Sequence, residues 1–181
     1  MTVLVAYATR YGATAGIAER IAATLTADGH EAHALPVEVV HSLANVEAVV
    51  VGSAVYFGSW LKPAAAFVER HRATLSELPV WLFSSGPLPG AVEPDKTAGE
   101  TENGEQPKQI DELRAAVGAL GHQVFDGALD PKKLGVRDRL IRSLPAGKPL
   151  LPEVDGRDWA AIDEWAAGIA ADLDTLGRSA R

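Results

Sequence analysis

The sequence alternates five times between a short apolar run, typical of a buried β-strand, and a longer stretch whose apolar residues recur every three or four positions, typical of an amphipathic helix. The run at 46–52 is continuously apolar and rich in Val, as expected for a central parallel strand covered on both faces. This alternation predicts an α/β fold with right-handed crossovers and helices on both faces of one sheet. The predicted strands cover 2–7, 30–35, 46–52, 79–84 and 122–129, and the predicted helices begin near 15, 63, 110, 131 and 159.

A ligand is expected at the carboxyl ends of the strands, since cofactors of such doubly wound sheets bind where the strand order reverses. With the order 2-1-3-4-5, the turns after strands one, three and four lie together at that edge. Those turns are residues 9–14, 53–60 and 84–88. The sequence therefore predicts one site built from three loops.

The first of these turns has the composition of an anion site. A strand that ends at hydroxyl and glycine residues and continues as a helix leaves unpaired backbone N–H groups at the positive end of the helix dipole. The hydroxyls of Thr9 and Thr14 can donate to phosphate oxygens. Gly12 lets the backbone approach a ligand or take a positive φ, and Arg10 adds a charge. The alternative is an ordinary capped helix with nothing bound.

The second and third turns add aromatic and flexible surfaces. The second turn places Tyr56, Phe57 and Trp60 around Gly58, a high aromatic density for a chain that is 6% aromatic. Each ring can stack on or border a flat ligand, or fill the sheet edge. The third turn, Ser84-Ser85-Gly86-Pro87, offers hydroxyls and a freely oriented backbone. A phosphate cradle beside an aromatic loop favours FMN over a nucleoside triphosphate, which would require Lys and a magnesium ligand.

These segments resemble the flavodoxin family. They occur in the right order and on the right loops, so the resemblance covers essentially the whole chain. It implies a flavodoxin-like, doubly wound, five-stranded parallel sheet with bound FMN. The matching segments are Tyr7-Ala8-Thr9-Arg10-Tyr11-Gly12-Ala13-Thr14, Gly52-Ser53-Ala54-Val55-Tyr56-Phe57-Gly58-Ser59-Trp60 and Ser84-Ser85-Gly86-Pro87.

Within that superfamily the chain resembles the flavodoxin-domain group that includes menaquinone-dependent protoporphyrinogen oxidase. The features are the Thr-Arg-x-Gly-x-Thr turn, the Tyr-x-Gly loop followed by Phe67, and the late segments Leu129-Asp130-Pro131 and Asp158-Trp159. The resemblance implies an FMN-dependent oxidoreductase that passes electrons from a reduced substrate through FMN to a quinone or other acceptor. Residues 135–145 are less apolar than the segment associated with quinone use, so donor and acceptor stay open. The alternatives are an electron-carrier flavodoxin without its own substrate turnover and a flavodoxin fold that has lost FMN and serves in interactions.

The resemblance implies that flavin N5 carries the chemistry and that the protein supplies position, hydrogen bonds and charge. We therefore assign no side chain as catalytic. The residues expected to bind FMN are Thr9, Arg10, Tyr11, Gly12, Ala13, Thr14, Ser53, Ala54, Val55, Tyr56, Phe57, Gly58, Trp60, Ser84, Ser85, Gly86 and Pro87.

Composition restricts the partners and the compartment. The formal charge of −7 argues against nucleic-acid binding, and the absence of Cys excludes disulfides, thiolate metal sites and thiol redox chemistry. The five His residues show no pair at metal-ligand spacing, so no metal is expected. No segment has the roughly 18 apolar residues of a membrane span and none has a secretory signal pattern, which favours the cytoplasm. The expected partner is a small-molecule redox substrate or a redox partner protein.

The chain of 181 residues is expected to form one domain over 1–181 with two additions. The segment near 88–107, which is acidic and rich in Gly and Pro, is expected to be a mobile loop. The segment 130–148 has six Lys or Arg and two Asp, a net charge of +4, whereas the rest of the chain has a net charge of −11. Its basic helix suits an anionic substrate, a peripheral membrane or quinone contact, or a solvated face. Residues interpreted as packing only are Trp81, Trp159, Trp165 and, at the core or its edge, His71.

Overall fold

The computed structural model describes residues 1–56, 58–86, 109–130, 132, 134–135, 140, 143 and 153–179. The strands are β1 (Thr2–Ala8), β2 (Glu31–Pro36), β3 (Ala48–Tyr56), β4 (Ser59–Trp60), β5 (Val80–Ser85), β6 (Gly121–Phe125), β7 (Ala128–Leu129) and β8 (Val154–Asp155). The helices are α1 (Ala13–Ala27), α2 (Lys62–Arg70), α3 (Arg72–Leu75), α4 (Ile110–Val117) and α5 (Trp159–Ser179).

Five strands form a parallel sheet in the order β2-β1-β3-β5-β6, so the strand order reverses between β1 and β3. The short strand β4 returns antiparallel onto the end of β3, and β7 pairs antiparallel with β8 in a separate two-stranded sheet. Since β5 and β6 are the fourth and fifth strands of the sequence prediction, this topology confirms the predicted α/β fold class and strand order.

Helices cover both faces of the sheet, and each face has its own apolar core. On one face α1 and α5 pack together, and Ile17, Ile21 and Leu25 of α1 lie one turn apart and are fully buried. On the other face α2, α3 and α4 contribute apolar side chains that include Phe67 and Ile110. The central strand β3 lies between the two cores, which explains its continuously apolar sequence.

A glycine in β3 makes room for a large side chain in one of these cores. A Cβ atom at Gly52 would lie 2.0 Å from Cζ of Phe83, so the Phe83 ring lies across the backbone of β3. The ring centroids of Phe125 and Trp165 are 6.1 and 6.2 Å from that of Phe83. This aromatic cluster packs β5 and β6 against α5.

The structure differs from the sequence prediction at several element ends. The helix α4 ends at Val117 because Gly118 takes a left-handed conformation with a φ of 62°, so Leu120, predicted to continue the helix, is outside it and exposed. The predicted strand 122–129 is divided into β6 and β7. The second predicted helix is interrupted at His71, whose φ of −103° and ψ of 11° depart from helical values.

The tryptophans do not all pack as expected. Trp81 is buried and Trp165 packs against the core, as predicted. Trp159 differs, because 39% of its surface is exposed and the guanidinium carbon of Arg157 lies 4.6 Å from its ring centroid. His71 lies at the core edge as predicted, with its ring centroid 4.8 Å from that of Phe67.

Two predicted features fall outside the described residues: the mobile loop at 88–107 and most of the basic segment at 130–148. The division into one domain with two additions therefore stays a prediction. Among the helices that the structure describes, none is both long enough and apolar enough to cross a membrane.

Candidate functional site

The three predicted loops begin level with one another. The sheet register pairs Ala8 of β1 with Ser53 of β3, and Ser53 with Ser84 of β5. Because these strands are parallel, the chain leaves all three on the same side of the sheet. The structure therefore brings the predicted loops together at one edge.

The turn between β1 and α1 presents backbone donors. Gly12 is the N-cap residue of α1, and its φ of 89° is a left-handed conformation that an L-residue adopts only with strain. The N–H of Gly12 donates to Oγ1 of Thr9 at 3.0 Å, which closes the turn while the Thr9 hydroxyl keeps its own proton to donate. The N–H groups of Ala13, Thr14 and Ala15 have no partner inside the helix. No acidic side chain occupies the first turn, so the helix does not neutralise the positive end of its own dipole.

The N-terminus of α5 provides a contrast on the same face of the sheet. There Oδ1 of Asp158 accepts hydrogen bonds from the N–H groups of Ala160 and Ala161 at 3.0 and 3.1 Å, an ordinary side-chain cap. At α1 the equivalent position is Gly12, which has no side chain to accept such bonds. Of the two long helices, α1 is therefore the one whose N-terminus can receive an external anion.

Arg10 and two tyrosines link the first loop to the second. The guanidinium carbon of Arg10 lies 5.4 Å from the ring centroid of Tyr11 and 5.0 Å from that of Tyr56. The two rings are T-shaped, with centroids 6.3 Å apart. Burial raises the pKa of Tyr56 to about 12, although Arg10 acts in the opposite direction. The phenol is therefore neutral at physiological pH, and the charge of Arg10 lies on the aromatic side of the site.

A chain of hydrogen bonds lies behind the second and third loops. Nε1 of Trp60 donates to Oγ of Ser84 at 2.8 Å, and Oγ of Ser84 lies 2.8 Å from Nε2 of His122. Burial, reinforced by Arg114, lowers the pKa of His122 to about 4, so the imidazole is neutral at pH 7. Oγ of Ser84 has one proton and two acceptor lone pairs, so it can bond Nε2 of His122 in either tautomer while it accepts from Trp60.

Several predicted contact residues use their side chains inside the fold. Oγ of Ser53 donates to the carbonyl of Ala54 at 2.9 Å and accepts from the N–H of Leu61 at 3.0 Å, which ties β3 to the start of α2. Trp60 and Ser84 are buried. These three side chains therefore hold the loops in place, which leaves backbone atoms and neighbouring side chains available to a ligand there.

Two glycines shape the second and third turns. Gly58, with a φ of 69°, stands between β3 and β4. Gly86, with a φ of 123°, follows β5 directly, and its N–H donates to the carbonyl of Phe125 at 2.9 Å. Both glycines adopt backbone conformations that other residues disfavour. Of the other predicted contacts in these loops, Ala54 and Ser85 are buried, Val55 is half-buried, and Phe57 and Pro87 lie outside the described residues.

A cavity of about 370 Å³ opens beside the first turn. It is lined by Tyr11, Gly12 and Ala13 on one side and by residues of β7, β8 and the segment before α5 on the other. In that segment Nε of Arg157 donates to Oδ1 of Asp155 at 2.8 Å. This hydrogen bond raises the pKa of the Arg157 guanidinium and lowers that of the Asp155 carboxyl.

Sequence reasoning missed His122 and Arg157. The contact of His122 with Ser84 depends on how β6 is aligned with β5, which no local pattern specifies. Arg157 could have been found from topology, because the residue just before a final helix lies at the same carboxyl edge as the three loops. Within the ranges that the structure describes, no group of His, Asp or Glu is suited to hold a metal ion.

The strand order, the reversal point and the donor-rich turn after β1 together define a flavodoxin-like α/β protein. The sequence matches the family model described as a flavodoxin domain over residues 4–144. The chain therefore belongs to the flavodoxin domain family, and this membership implies FMN as the cofactor and electron transfer as the general function. It matches none of the curated proteins.

Solved structures agree with this fold. The chain is similar to rubredoxin oxygen:oxidoreductase from Desulfovibrio gigas, with a TM-score of 0.62 and 14% identity over 96% of this chain and 36% of that one. It is also similar to a cysteine-to-serine mutant of flavodoxin from Pseudomonas aeruginosa, with a TM-score of 0.59 and 20% identity over 96% of this chain and 99% of that one. A flavodoxin from the domain Archaea gives a TM-score of 0.55 and 19% identity over 92% and 99% of the two chains. The chain thus spans about a third of the first protein and nearly all of the two flavodoxins.

Proposed function

We propose that the three loops bind FMN, with its phosphate in the turn between β1 and α1. The observation that carries this proposal is the N-terminus of α1, where the N-cap residue is a left-handed Gly12 and the first turn contains no acidic residue. A phosphate dianion is the kind of ligand that such backbone donors and the helix dipole favour. The FMN cofactor implied by the family fits these residues, because the turn supplies the donors that its phosphate needs.

Each of the three loops would contact a different part of FMN. Hydroxyl and backbone donors of the first loop would hold the phosphate, and Tyr56 would border the isoalloxazine ring from the second loop. Backbone groups near the left-handed Gly58 and Gly86 would bond the ring edge. The proposed FMN contacts are Thr9, Arg10, Tyr11, Gly12, Ala13, Thr14, Ser53, Ala54, Val55, Tyr56, Phe57, Gly58, Trp60, Ser84, Ser85, Gly86 and Pro87.

When bound, FMN supplies the redox chemistry, and the residues of this chain position it. The bond from Trp60 to Ser84 holds β4 against the end of β5, so the second and third loops keep a fixed separation, and the contact of Ser84 with His122 ties β5 to β6. Tyr56, whose pKa burial raises to about 12, is protonated at physiological pH and presents a neutral ring to the site.

We further propose that the chain is an FMN-dependent oxidoreductase resembling menaquinone-dependent protoporphyrinogen oxidase, with a quinone or another compound as acceptor. Support for this finer function comes from the sequence of the first two loops and of the segments near Asp130 and Asp158. The alternative is an electron-carrier flavodoxin without substrate turnover. The two share a fold and a cofactor, so substrate turnover and redox behaviour are what distinguish them.

The first test is the visible absorption spectrum of the purified protein with and without added FMN. We expect equimolar FMN to bind, giving a protein-bound flavin spectrum that remains after gel filtration. A protein that fails to bind FMN would contradict the proposed site and both redox functions.

The second test uses the FMN-loaded protein under anaerobic conditions with protoporphyrinogen and a series of quinones. We expect oxidation of protoporphyrinogen that depends on both protein and quinone. Oxidation at the uncatalysed rate with every quinone would contradict the enzyme. A redox titration that resolves two successive one-electron reductions would then support the electron carrier.

A further inference from the structure

The strand β2 forms an open edge of the parallel sheet. It is the first strand in the sheet order and pairs with β1 alone. The N–H of Glu31 bonds the carbonyl of Met1, so Glu31 directs its backbone groups toward β1. In a parallel strand every second residue does the same, and the residues between them face the opposite side. The N–H and C=O groups of Ala32 and Ala34 therefore point away from the sheet.

These outward groups have no protein partner. Among the residues that the structure describes, none hydrogen-bonds the N–H or C=O of Ala32 or Ala34. Pro36, the next outward residue, has no N–H, and its carbonyl accepts from the N–H of Val39 at 3.1 Å, so the open edge ends there. Edge strands are usually protected by Lys, by an interior Pro or by a bulge, and β2 has none of these.

Apolar surface lies beside this open edge. A groove of about 570 Å³ runs along β2, and its lining includes Ala34, Leu35, Val39 and Val46. The residues Leu35 and Val39 are 40% and 55% exposed, so two large apolar side chains lie in solvent next to the unpaired backbone groups. A strand added to β2 would cover both, as in β-augmentation. The edge and the groove together suit an extended protein segment.

The edge is complementary to a second copy of itself. If two β2 strands pair antiparallel about His33, Ala32 of each strand lies opposite Ala34 of the other, and these pairs exchange N–H···O bonds. Every N–H and C=O of the open edge then has a partner. Charge agrees, because Oε1 of Glu31 lies 3.5 Å from Nε2 of His33 on one face of the strand, with 69% and 64% of these side chains exposed. Each His33 also lies diagonal to Glu31 of the other copy, so each imidazole has two carboxylates as neighbours.

We propose that the chain forms a symmetric dimer in which the two β2 strands pair antiparallel about His33. The pairing joins the two parallel sheets into one continuous sheet. Because the joint is antiparallel, the carboxyl ends of the strands lie at opposite edges of that sheet, and both loop-built sites stay open. The dimer goes beyond the proposed function and does not depend on FMN binding.

The first test uses disulfide formation, because the chain has no Cys of its own. In the proposed register position 33 faces itself in a non-hydrogen-bonded pair, where Cα atoms are about 4.5 Å apart, a distance that suits a disulfide. We expect His33→Cys to cross-link on mild oxidation, as seen by non-reducing electrophoresis. The matched control is Glu31→Cys, which replaces a similarly exposed side chain. It lies opposite Leu35 of the other copy and about 13 Å from its own counterpart, so it should not cross-link.

The second test measures mass by analytical ultracentrifugation, without added flavin. We expect the wild type to have twice the 19.1 kDa mass of the chain. The variant Ala34→Pro removes an N–H that has no partner in the monomer, and edge strands tolerate Pro at such positions, so the fold should be retained. It removes half of the bonds across the two-fold axis, which should raise the dimer dissociation constant by about tenfold or more. Ala34→Ser keeps the N–H and should leave this constant unchanged. Circular dichroism shows whether each variant is folded.

A chain that stays monomeric up to its solubility limit would overturn the proposal and leave this edge to a different occupant. A dimer that cross-links equally through Glu31→Cys and His33→Cys, or that Ala34→Pro does not weaken, would also overturn it, because the copies would then meet elsewhere. If Ala34→Pro does not fold, the wild-type mass and the cross-linking comparison decide, since both Cys variants replace exposed side chains. Failure of the protein to bind FMN would instead contradict the proposed function and leave the dimer intact.

Discussion

Gly12 controls two properties of the site at the scale of a single residue. It lets the chain turn from β1 into α1 with a φ of 89°, and it places no side chain over the first turn of the helix. Its N–H also bonds Thr9, which fixes the hydroxyl of that residue within the turn. The backbone donors of α1 therefore face outward as a set.

The substitution Gly12→Ala, compared with a control glycine, should distinguish the loss of a phosphate site from ordinary backbone strain. A left-handed L-residue costs about 1–2 kcal/mol, so the free energy of unfolding should fall by that amount. The control is Gly29→Ala at the other end of α1, where φ is 93° and a Cβ atom meets nothing within 4 Å. We expect similar destabilisation in both variants in urea unfolding, and a loss of FMN affinity of about tenfold or more only in Gly12→Ala. Equal FMN affinities in the two variants would contradict a phosphate site at Gly12.

His122 should make stability depend on pH. Its pKa is about 4 in the folded protein, against an ordinary value of 6.5, because burial and Arg114 disfavour the imidazolium while Asp111 favours it. Between these values the unfolded chain binds more protons than the folded one, so stability falls as the pH decreases from 6.5 towards 4. We expect His122→Gln, which stays neutral, to lose less stability between pH 7 and pH 5 than the wild type in urea unfolding. Parallel pH profiles of the two proteins would show that His122 does not titrate in this way.

At the scale of elements, the sequence predicts what local periodicity controls. The buried strand β3 and the amphipathic helices α1 and α5 follow from runs and spacings of apolar residues, and the turn after β1 follows from its Thr and Gly residues. The end of α4 was predicted too late, because Leu120 continues the apolar spacing although Gly118 ends the helix. The hydrogen bond between Trp60 and Ser84 joins residues 24 positions apart in the sequence. It depends on the strand register, which the local sequence does not specify.

The contact between β3 and β5 should depend on Gly52. A Cβ atom 2.0 Å from Phe83 requires the ring or the strand to move, so Gly52→Ala should destabilise the fold by about 3 kcal/mol, at the upper end for overpacking. At Gly121 a Cβ atom would lie 3.3 Å from Cδ1 of Trp81, so Gly121→Ala should cost less, about 1 kcal/mol. Thermal or urea unfolding measures both. In the double variant Gly52→Ala with Phe83→Leu, we expect the free energy of unfolding to fall by less than the sum of the two single decreases. Strict additivity would contradict the steric explanation.

At the scale of the whole molecule, the same strand order builds the fold and assembles the proposed cofactor site. The strand order that buries β3 between two helical layers also gathers the loops after β1, β3 and β5, and α5 brings Arg157 to the same edge. The fold class was predictable because alternation of strands and helices runs through the whole sequence. Topology alone places Arg157 at this edge, but its contact with Gly16 was not predictable, because that contact depends on how α5 packs against α1.

Binding of FMN at this edge should stabilise the whole fold, because strands and helices from both cores end there. A ligand present at a hundred times its dissociation constant and bound only by the folded state adds about 2.7 kcal/mol to the free energy of unfolding. For a chain of this length the corresponding rise in Tm is roughly 5–10 °C. We expect Tm to increase with FMN concentration in differential scanning calorimetry, and to increase less with riboflavin at the same concentrations, because riboflavin makes no phosphate contact with α1. Equal Tm shifts with the two flavins would indicate that the aromatic loop, and not the N-terminus of α1, provides the binding energy. A Tm that does not depend on FMN would contradict binding to the folded state.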